Sequence, residues 1–366
     1  MKILHLITTI NRGGAENQLL TLVREQIREG LDVSIAPLKG NLELKGDFEE
    51  AGAKVISHQT NLIWIRQIFK IRDIITKESF QIVHAHLPRS ELTAALCTRK
   101  HEFLVTRHNA EAFYPGAPKF LSRLMSKFVE KRSFKIVCIS KAVSDFLLTN
   151  GEISSQPTVI HYGRNINKIT ERYSDSKAKL LSGLNIPSDS KIISTLARLT
   201  SQKDIGTLLE AFSILLKKEP SAWLLIAGSG PLEESLKKLC EELGIQAKVK
   251  WLGQINETSR VYMASDIFVL TSRYEGFGLV LLEAMEFHVP IVASNNTSIP
   301  EVLGKDHPGL VETGNYLLFA EKISYFLNSE NAKKLLATQD KQLEKFDIVE
   351  TSKQHNLIYS EILKHR

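Results

Sequence analysis

The chain has 366 residues, 43% of them hydrophobic and 24% charged. That is the composition of a globular protein, and it is long enough for two domains rather than one core. No apolar run reaches the roughly 20 residues of a membrane-spanning helix. The net charge of +6 is uneven: residues 1–165 hold 23 Lys and Arg against 16 Asp and Glu, a surplus of +7, and the remainder holds 24 against 25. A basic first half calls for an anionic partner there, a phosphorylated substrate or a membrane surface. Basic motifs with interleaved aromatics are lacking, so no nucleic acid is expected.

Short apolar runs alternate with longer amphipathic stretches. Met1–Ile7 could pass for the start of a signal peptide, but Thr8, Thr9, Asn11 and Arg12 interrupt it and no cleavage site follows. It is read as a first buried strand, Lys2–Thr8. A helix over Glu16–Glu29 places Leu19, Leu20, Val23 and Ile27 on one face. Strands follow at Asp32–Pro37 and Lys54–Ser57, then a helix at Ile65–Thr76 and strands at Ile82–Ala85, Leu104–Thr106, Ile136–Ile139 and Thr158–Ile160. Polar residues 165–190 break the rhythm, with Asn185–Ser190 as a loop signal. It resumes with a strand at Ile192–Ala197, a helix at Ile205–Lys217, and strands at Trp223–Ala227, Lys248–Leu252, Ile267–Leu270 and Pro290–Ala293. The last helix, Val349–Leu363, carries an apolar stripe of Leu357, Ile358, Ile362 and Leu363. This alternation implies two α/β domains with parallel sheets, joined near Arg164–Asp175. Cys97, Cys138 and Cys240 lie too far apart to ligate a metal, and read as core thiols in a reducing, cytosolic compartment.

Ligands of parallel sheets bind beyond the carboxyl ends of the strands. After Ile267–Leu270 comes Thr271-Ser272-Arg273-Tyr274-Glu275-Gly276-Phe277-Gly278-Leu279, leading into a helix that holds Glu283. The glycines permit close backbone approach, and a helix N-terminus attracts anions. Carboxylates suit sugar and ribose hydroxyls. Glu283 lies between Leu281, Leu282, Ala284 and Met285, where a charge requires a partner. The bland alternative is a strand-turn-helix with a capping and a solvated glutamate.

This stretch resembles the E-x7-E signature of the family 4 retaining glycosyltransferases, and the resemblance runs through nearly the whole chain. It implies the GT-B fold: two Rossmann-like domains facing across a cleft, at 1–165 for the acceptor and 166–346 for a nucleotide sugar, with a helix over 347–366 crossing back to the first. Ala197–Asp204 is similar to the family's G-R-L…K segment, with Ala197 for the usual glycine, and assigns Arg198 and Lys203 to the donor diphosphate. Two cations there would serve a leaving diphosphate without a metal. Asn11-Arg12-Gly13-Gly14-Ala15-Glu16 resembles the G-G-A-E loop, so Gly13 and Gly14 are expected over the donor phosphate and sugar. His108, in Thr106-Arg107-His108-Asn109, stands where the family contacts the reacting sugar. Gly276, Phe277, Gly278 and Leu279 join the phosphate loop, Glu275 takes the donor sugar and Glu283 the ribose. Gly228, Leu252 and Ile255 fall in segments that line the nucleobase pocket. Ser140-Lys141 and Tyr162-Gly163-Arg164 resemble further stations, and His288 replaces a small residue.

The implied reaction is retaining, metal-independent hexosyl transfer from a UDP- or GDP-linked sugar to a glycan or lipid-linked hydroxyl, in cell-surface polysaccharide or glycolipid synthesis. No other cofactor is expected. His84-Ala85-His86 puts two histidines on one strand face, but no carboxylate or cysteine completes a ligand set. The rivals are a non-catalytic nucleotide-sugar-binding scaffold and an epimerase or phosphorylase of the same fold. Lys119–Arg132 spaces Phe120, Leu124 and Phe128 by four residues beside a row of Arg123, Lys127 and Lys131. Its apolar side is expected to pack on the sheet, with the basic side toward anionic lipid. That places the protein in the cytoplasm, peripheral on the inner face of the cytoplasmic membrane.

Overall fold

The computed structural model describes residues 1–57, 59–60, 62–99, 102–114, 116–166 and 174–365. Within the expected hinge, residues 167–173 lie outside the described residues. The chain divides into two units: Met1–Asn165 together with Phe346–Arg366, and Ile166–Lys345.

The first unit runs β1 (Lys2–Ile7), α1 (Gly14–Arg28), β2 (Asp32–Pro37), α2 (Lys45–Glu50), β3 (Lys54–Val55), α3 (Trp64–Lys77), β4 (Ile82–His86), α4 (Pro88–Cys97), β5 (Phe103–Arg107), α5 (Lys119–Arg132), β6 (Lys135–Cys138), α6 (Lys141–Thr149) and β7 (Thr158–Val159). The second runs α7 (Ser174–Gly183), β8 (Lys191–Leu196), α8 (Ile205–Leu215), β9 (Ala222–Ala227), α9 (Glu233–Glu242), β10 (Val249–Gly253), α10 (Ser259–Ala264), β11 (Ile267–Leu270), α11 (Leu279–Glu286), β12 (Ile291–Ser294), α12 (Ile299–Leu303), β13 (Leu310–Val311), α13 (Tyr316–Phe326) and α14 (Ser329–Leu343). The last helix, α15 (Ile348–Lys364), belongs to the first unit.

Both sheets are parallel. The first has seven strands in the order β3-β2-β1-β4-β5-β6-β7, the second six in the order β10-β9-β8-β11-β12-β13. Helices cover such sheets on both faces, which is why β1, β4, β5, β8 and β11 are buried almost without interruption. Each order reverses once, between β1 and β4 and between β8 and β11. Chain connections leave these switch points to opposite sides and open a crevice at the carboxyl ends, where doubly wound sheets bind their ligands.

Helix α1 buries Leu19, Leu20 and Val23 against β2 and α2 residues such as Val33 and Phe48, as its 3.6-residue pattern requires. Helix α15 buries Ile358, Tyr359 and Ile362 against Ile3, Ile82, Leu104 and Val137. Its inward stripe is rotated from the expected one, because Leu357 is 59% exposed and Tyr359 takes the central place. The return of the chain is stitched beside Gly163. Arg164 N–H donates to the Phe346 carbonyl at 2.8 Å and Ile348 N–H to the Arg164 carbonyl at 3.0 Å. A Cβ on Gly163 would meet the Ile348 Cα at 2.6 Å, so this contact requires glycine.

Helix α5 corrects an expectation. Phe120, Leu121, Leu124 and Phe128 are 40–66% exposed, while Ser122, Ser126 and Val129 are buried. Small side chains let the helix sit close to its neighbours, and the aromatic row points away. Helix α3 shows the same inversion, with Ile63 before it and Trp64, Ile65 and Phe69 within it exposed.

Candidate functional site

The second unit's switch point is built from two loops on adjacent strands. The first, after β8, carries Arg198 and Lys203. The second, after β11, carries Glu275. Backbone and side-chain bonds lace them together: Arg273 N–H donates to the Gln202 carbonyl at 2.8 Å, and the Gln202 amide to the Tyr274 carbonyl at 3.0 Å. The Thr271 hydroxyl donates to the Lys203 and Asp204 carbonyls. Asp204 precedes α8 in a left-handed conformation (φ 48°), and its carboxylate is held by Arg273 at 3.1 Å.

At the centre, the Lys203 ammonium meets Glu275 Oε1 at 2.6 Å. The two side chains are only 14% and 6% exposed. The Ser272 hydroxyl donates to the same oxygen at 2.6 Å, Glu275 N–H donates to Thr297, and the Ser298 hydroxyl donates to the Glu275 carbonyl. A buried ion pair repays its desolvation only with such added hydrogen bonds. Removing one member leaves an uncompensated charge and costs about 3–5 kcal/mol. An alanine at either position is therefore expected to lower stability as well as activity. Arg198 is exposed and forms no ion pair among the described residues.

Gly278 sits at φ 89°, a left-handed conformation that favours glycine, and opens α11. Gly276 and Leu279 are partly exposed, and Phe277 is buried. One turn into α11, half-buried Glu283 accepts a hydrogen bond from the Tyr262 hydroxyl at 2.9 Å. This is the partner that its apolar neighbours demanded. Tyr262 itself is fully buried and stacks on Phe287. Tyr262, Ser272 and Thr297 escaped the sequence reading because their roles are set across 3 to 22 residues of chain by the fold.

The glycine loop after β9 has a packing role. A Cβ on Gly228 would stand 1.9 Å from the Ala197 carbonyl oxygen, and one on Gly230 2.4 Å from that of Leu199. These glycines let the β9 loop cross the Arg198 loop, with Leu199 N–H bonded to the Ser229 carbonyl. Leu252 at the end of β10 and Ile255 just beyond are partly exposed. The stations Leu252, Gly228, Arg198–Lys203 and Glu275 thus follow one another along the carboxyl edge of a single sheet.

The first unit places Gly13 and Gly14 after β1, at its own switch point. Glu16, which accepts from Thr9 at 2.6 Å, folds back so tightly that a Cβ on Gly13 would meet its carboxylate at 2.4 Å. His108 ends β5. It is 8% exposed, and both ring nitrogens are engaged: Nε2 with His86 at 3.1 Å, Nδ1 with the Tyr162 hydroxyl at 2.5 Å. Burial lowers its pKa to about 3, so the ring is neutral. His84 and His86 share a strand face as expected, joined by His5 from β1. Ligand atoms of these three lie within 4.8 Å of one another.

Beyond β4 and β5, Leu87, Arg107, His108 and Asn109 line a cavity of about 110 Å³. Beneath it Arg107 Nε meets Glu91 at 2.6 Å, with the guanidinium over the Phe113 ring at 4.4 Å. Burial pushes the Glu91 carboxyl up to about 7 against the pull of Arg107.

Two parallel sheets of Rossmann order, one with a cation pair and carboxylates at its switch point, define an α/β enzyme of the GT-B fold. Residues 12–168 match Glycosyltransferase Family 4, and residues 176–343 match Glycosyl transferases group 1. The chain belongs to these glycosyltransferases. The capsular polysaccharide biosynthesis glycosyltransferase CapM of Staphylococcus aureus is 25% identical over 350 residues, 92% of this chain and 90% of the relative. A Campylobacter jejuni alpha-1,4-N-acetyl-D-galactosaminyltransferase, named for a diNAcBac-PP-undecaprenol-linked substrate, is 25% identical over 93% of each chain. The fold matches that of HepE from Anabaena, solved in complex with UDP and glucose, at a TM-score of 0.83 and 19% identity over 98% of this chain and 99% of that one.

Proposed function

We propose that this glycosyltransferase moves a hexose from a UDP- or GDP-linked sugar to a hydroxyl of a glycan or lipid-linked acceptor, with retention at the anomeric carbon. The observation that carries the reading is the buried Lys203–Glu275 pair, whose lysine shares the loop after β8 with the exposed Arg198. An arriving diphosphate offers Lys203 a more highly charged partner than one carboxylate. Arg198, Lys203 and the first turn of α11 then stabilise the departing diphosphate, doing the work of a metal ion. Glu275, still held by Ser272, accepts from the donor sugar, and Glu283, held by Tyr262, from the ribose. Gly228, Leu252 and Ile255 flank the base, and Gly13, Gly14 and His108 of the first unit serve the transferred sugar. HepE in complex with UDP-glucose favours the uridine donor, and the names of the two bacterial relatives favour a surface-polysaccharide or lipid-linked acceptor.

The exposed face of α3 and α5 supports action at a membrane surface. Both helices pack on α4, and together they offer Trp64, Phe69, Phe120 and Leu124 alongside Arg66, Arg123 and Lys131. Aromatics beside cations suit an anionic interface. No helix among the described residues is long and apolar enough to cross a membrane.

The test is product analysis with a panel of nucleotide sugars and lipid-linked acceptors. Transfer in the wild type and its loss in Glu275→Gln, a near-isosteric change, support the assignment. Donor binding without turnover would identify a scaffold instead, and full transfer by Glu275→Gln would remove Glu275 from the site.

A further inference from the structure

Four buried histidines of the first unit, His5, His84, His86 and His108, join one continuous hydrogen-bond network through Gln26. One arm runs from Gln26 Oε1 to His5 Nε2 (2.9 Å), from His5 Nδ1 to His86 Nε2 (3.0 Å), from His86 Nδ1 to His108 Nε2 (3.1 Å), and from His108 Nδ1 to Tyr162. The other runs from Gln26 Nε2 to the Tyr359 hydroxyl (3.2 Å), on to His84 Nδ1 (2.8 Å), and from His84 Nε2 to Thr106 (2.7 Å). Gln26, His5, His84 and Tyr359 are fully buried, and His86 is 2% exposed.

A neutral imidazole has one donor and one acceptor nitrogen. Burial holds these rings neutral, taking His5 down to about 4 and His84 and His86 well below the ordinary value. The bonds then determine one another. The Gln26 carbonyl can only accept, so His5 carries its proton on Nε2 and accepts at Nδ1. His86 must donate from Nε2 and accept at Nδ1, and so must His108, whose Nδ1 receives the Tyr162 proton. Along the other arm the Gln26 amide donates to Tyr359, Tyr359 donates to His84 Nδ1, and His84 donates from Nε2 to Thr106. An arrangement with Tyr359 accepting from both Gln26 and His84 would leave the proton of this fully buried hydroxyl without an acceptor among the described residues, so only the reverse polarity makes as many bonds. It requires the Gln26 amide turned over and every proton in both arms moved together.

We propose that Gln26 fixes this polarity, and that Gln26, His5 and His86 are positioning residues which set the tautomer His108 brings to the sugar. The proposal rests on the reading of His108 as a sugar-contacting residue. With its lone pair on Nδ1, now accepting from the Tyr162 hydroxyl, His108 can accept a hydrogen bond from a sugar hydroxyl that takes the place of Tyr162, but at that nitrogen it cannot donate to a phosphate oxygen. The opposite polarity would reverse that preference. The same bonds occupy the lone pairs that a metal would need on His5, His84 and His86.

The experiment is long-range ¹⁵N–¹H correlation on the full chain labelled at histidine, near neutral pH, with rings assigned by single substitutions. His5, His84, His86 and His108 should all show protonated Nε2 and unprotonated Nδ1. His355, whose Nδ1 donates to the Thr351 carbonyl at 2.8 Å, is an internal reference for the opposite tautomer. In Gln26→Met the signature should weaken at His5, His86 and His108 together, three rings from one substitution, while His355 holds. Transfer should fall by roughly fivefold, about the worth of one hydrogen bond. Wild-type rings with protonated Nδ1, or mixed tautomers unaffected by Gln26→Met, would overturn the proposal, as would joint displacement of His5, His84 and His86 signals by one equivalent of zinc. A shifted His108 tautomer with unchanged transfer would overturn the positioning role and leave the network standing. Loss of transfer with every donor in the wild type would instead count against the functional reading. If Gln26→Met does not fold, the wild-type spectrum alone decides the polarity.

Discussion

The two units share a strand order and differ in what they bury at its reversal. The first gathers four neutral histidines, His5, His84, His86 and His108, held by Gln26, Tyr359 and Tyr162, and keeps a buried ion pair there, Arg107 with Glu91, at the end of β5. The second buries a charge pair, Lys203 with Glu275, whose lysine shares its loop with an exposed arginine. The same reversal of strand order thus supports two kinds of crevice. On the proposed reading the Lys203–Glu275 pair and Arg198 meet a diphosphate, whereas the oriented neutral histidines meet hydroxyls. In the first unit's crevice Arg107 is offset by Glu91, so the basic surplus of residues 1–165 bears on its surface. It is spent in part along α3 and α5.

The largest effect expected from this contrast is on transfer. Glu275→Gln and Lys203→Ala should each lower kcat by about a hundredfold or more, measured by product formation, since the proposal sets both residues on the departing diphosphate or the sugar it leaves. Lys203→Ala should also lower the unfolding free energy by about 3 kcal/mol or more in urea, since Glu275 is left buried alone. No substitution at Gln26, His5, His84 or His86 should approach that loss of transfer.

Acid should distinguish the units next. His5 and His355 are depressed to about 4, His108 to about 3, and His84 and His86 downward, all by burial. Unfolded histidines titrate near 6.5. Between 6.5 and 4 the unfolded chain binds protons that the folded chain refuses, so stability falls as pH falls, by up to about 1.4 kcal/mol per pH unit for each histidine. Glu91, raised to about 7, works in the opposite sense but is a single group. In the second unit His307, lowered to about 4, is the one histidine with a depressed value among the described residues. Hydrogen exchange at pH 7 and pH 5 should show the first unit's strands losing protection and the second unit's holding. Equal loss in both would break the contrast.

A smaller effect is expected at Arg198. Arg198→Ala should leave stability unchanged and weaken donor binding by about tenfold, the worth of a hydrogen bond to a charged group. The smallest concerns α5. Phe120→Ser with Leu124→Ser should change stability by no more than about 0.5 kcal/mol, since both side chains are exposed. It should reduce flotation with anionic liposomes at low salt, and unaltered flotation would detach this face from the membrane.

Much of this was legible in the chain. The alternation of apolar runs and amphipathic stretches foretold both parallel sheets, and the loops after β8 and β11 announced themselves by charge and glycine at strand ends. Glu283 was recognisable as a carboxylate that needed a partner, but Tyr262, 21 residues earlier, was not recognisable as that partner. Long-range pairing hid most of the histidine network too. His84 and His86 share a strand visibly, whereas His5, Gln26 and Tyr359 meet them only because β1 pairs with β4 and α15 returns to the first unit. Helix α5 misled because periodicity shows that a helix has an apolar side without showing which side the sheet takes. Here the sheet took the serines.

The most direct test of the central claim is thermal stabilisation by nucleotide sugars of the wild type and of the double variant Arg198→Ala, Lys203→Ala. A UDP- or GDP-linked hexose at a hundredfold excess over its Kd should stabilise the wild type by about 2.7 kcal/mol. It should leave the double variant nearly unmoved. Equal stabilisation of both proteins would show that the donor diphosphate is not held by Arg198 and Lys203, and would contradict the account.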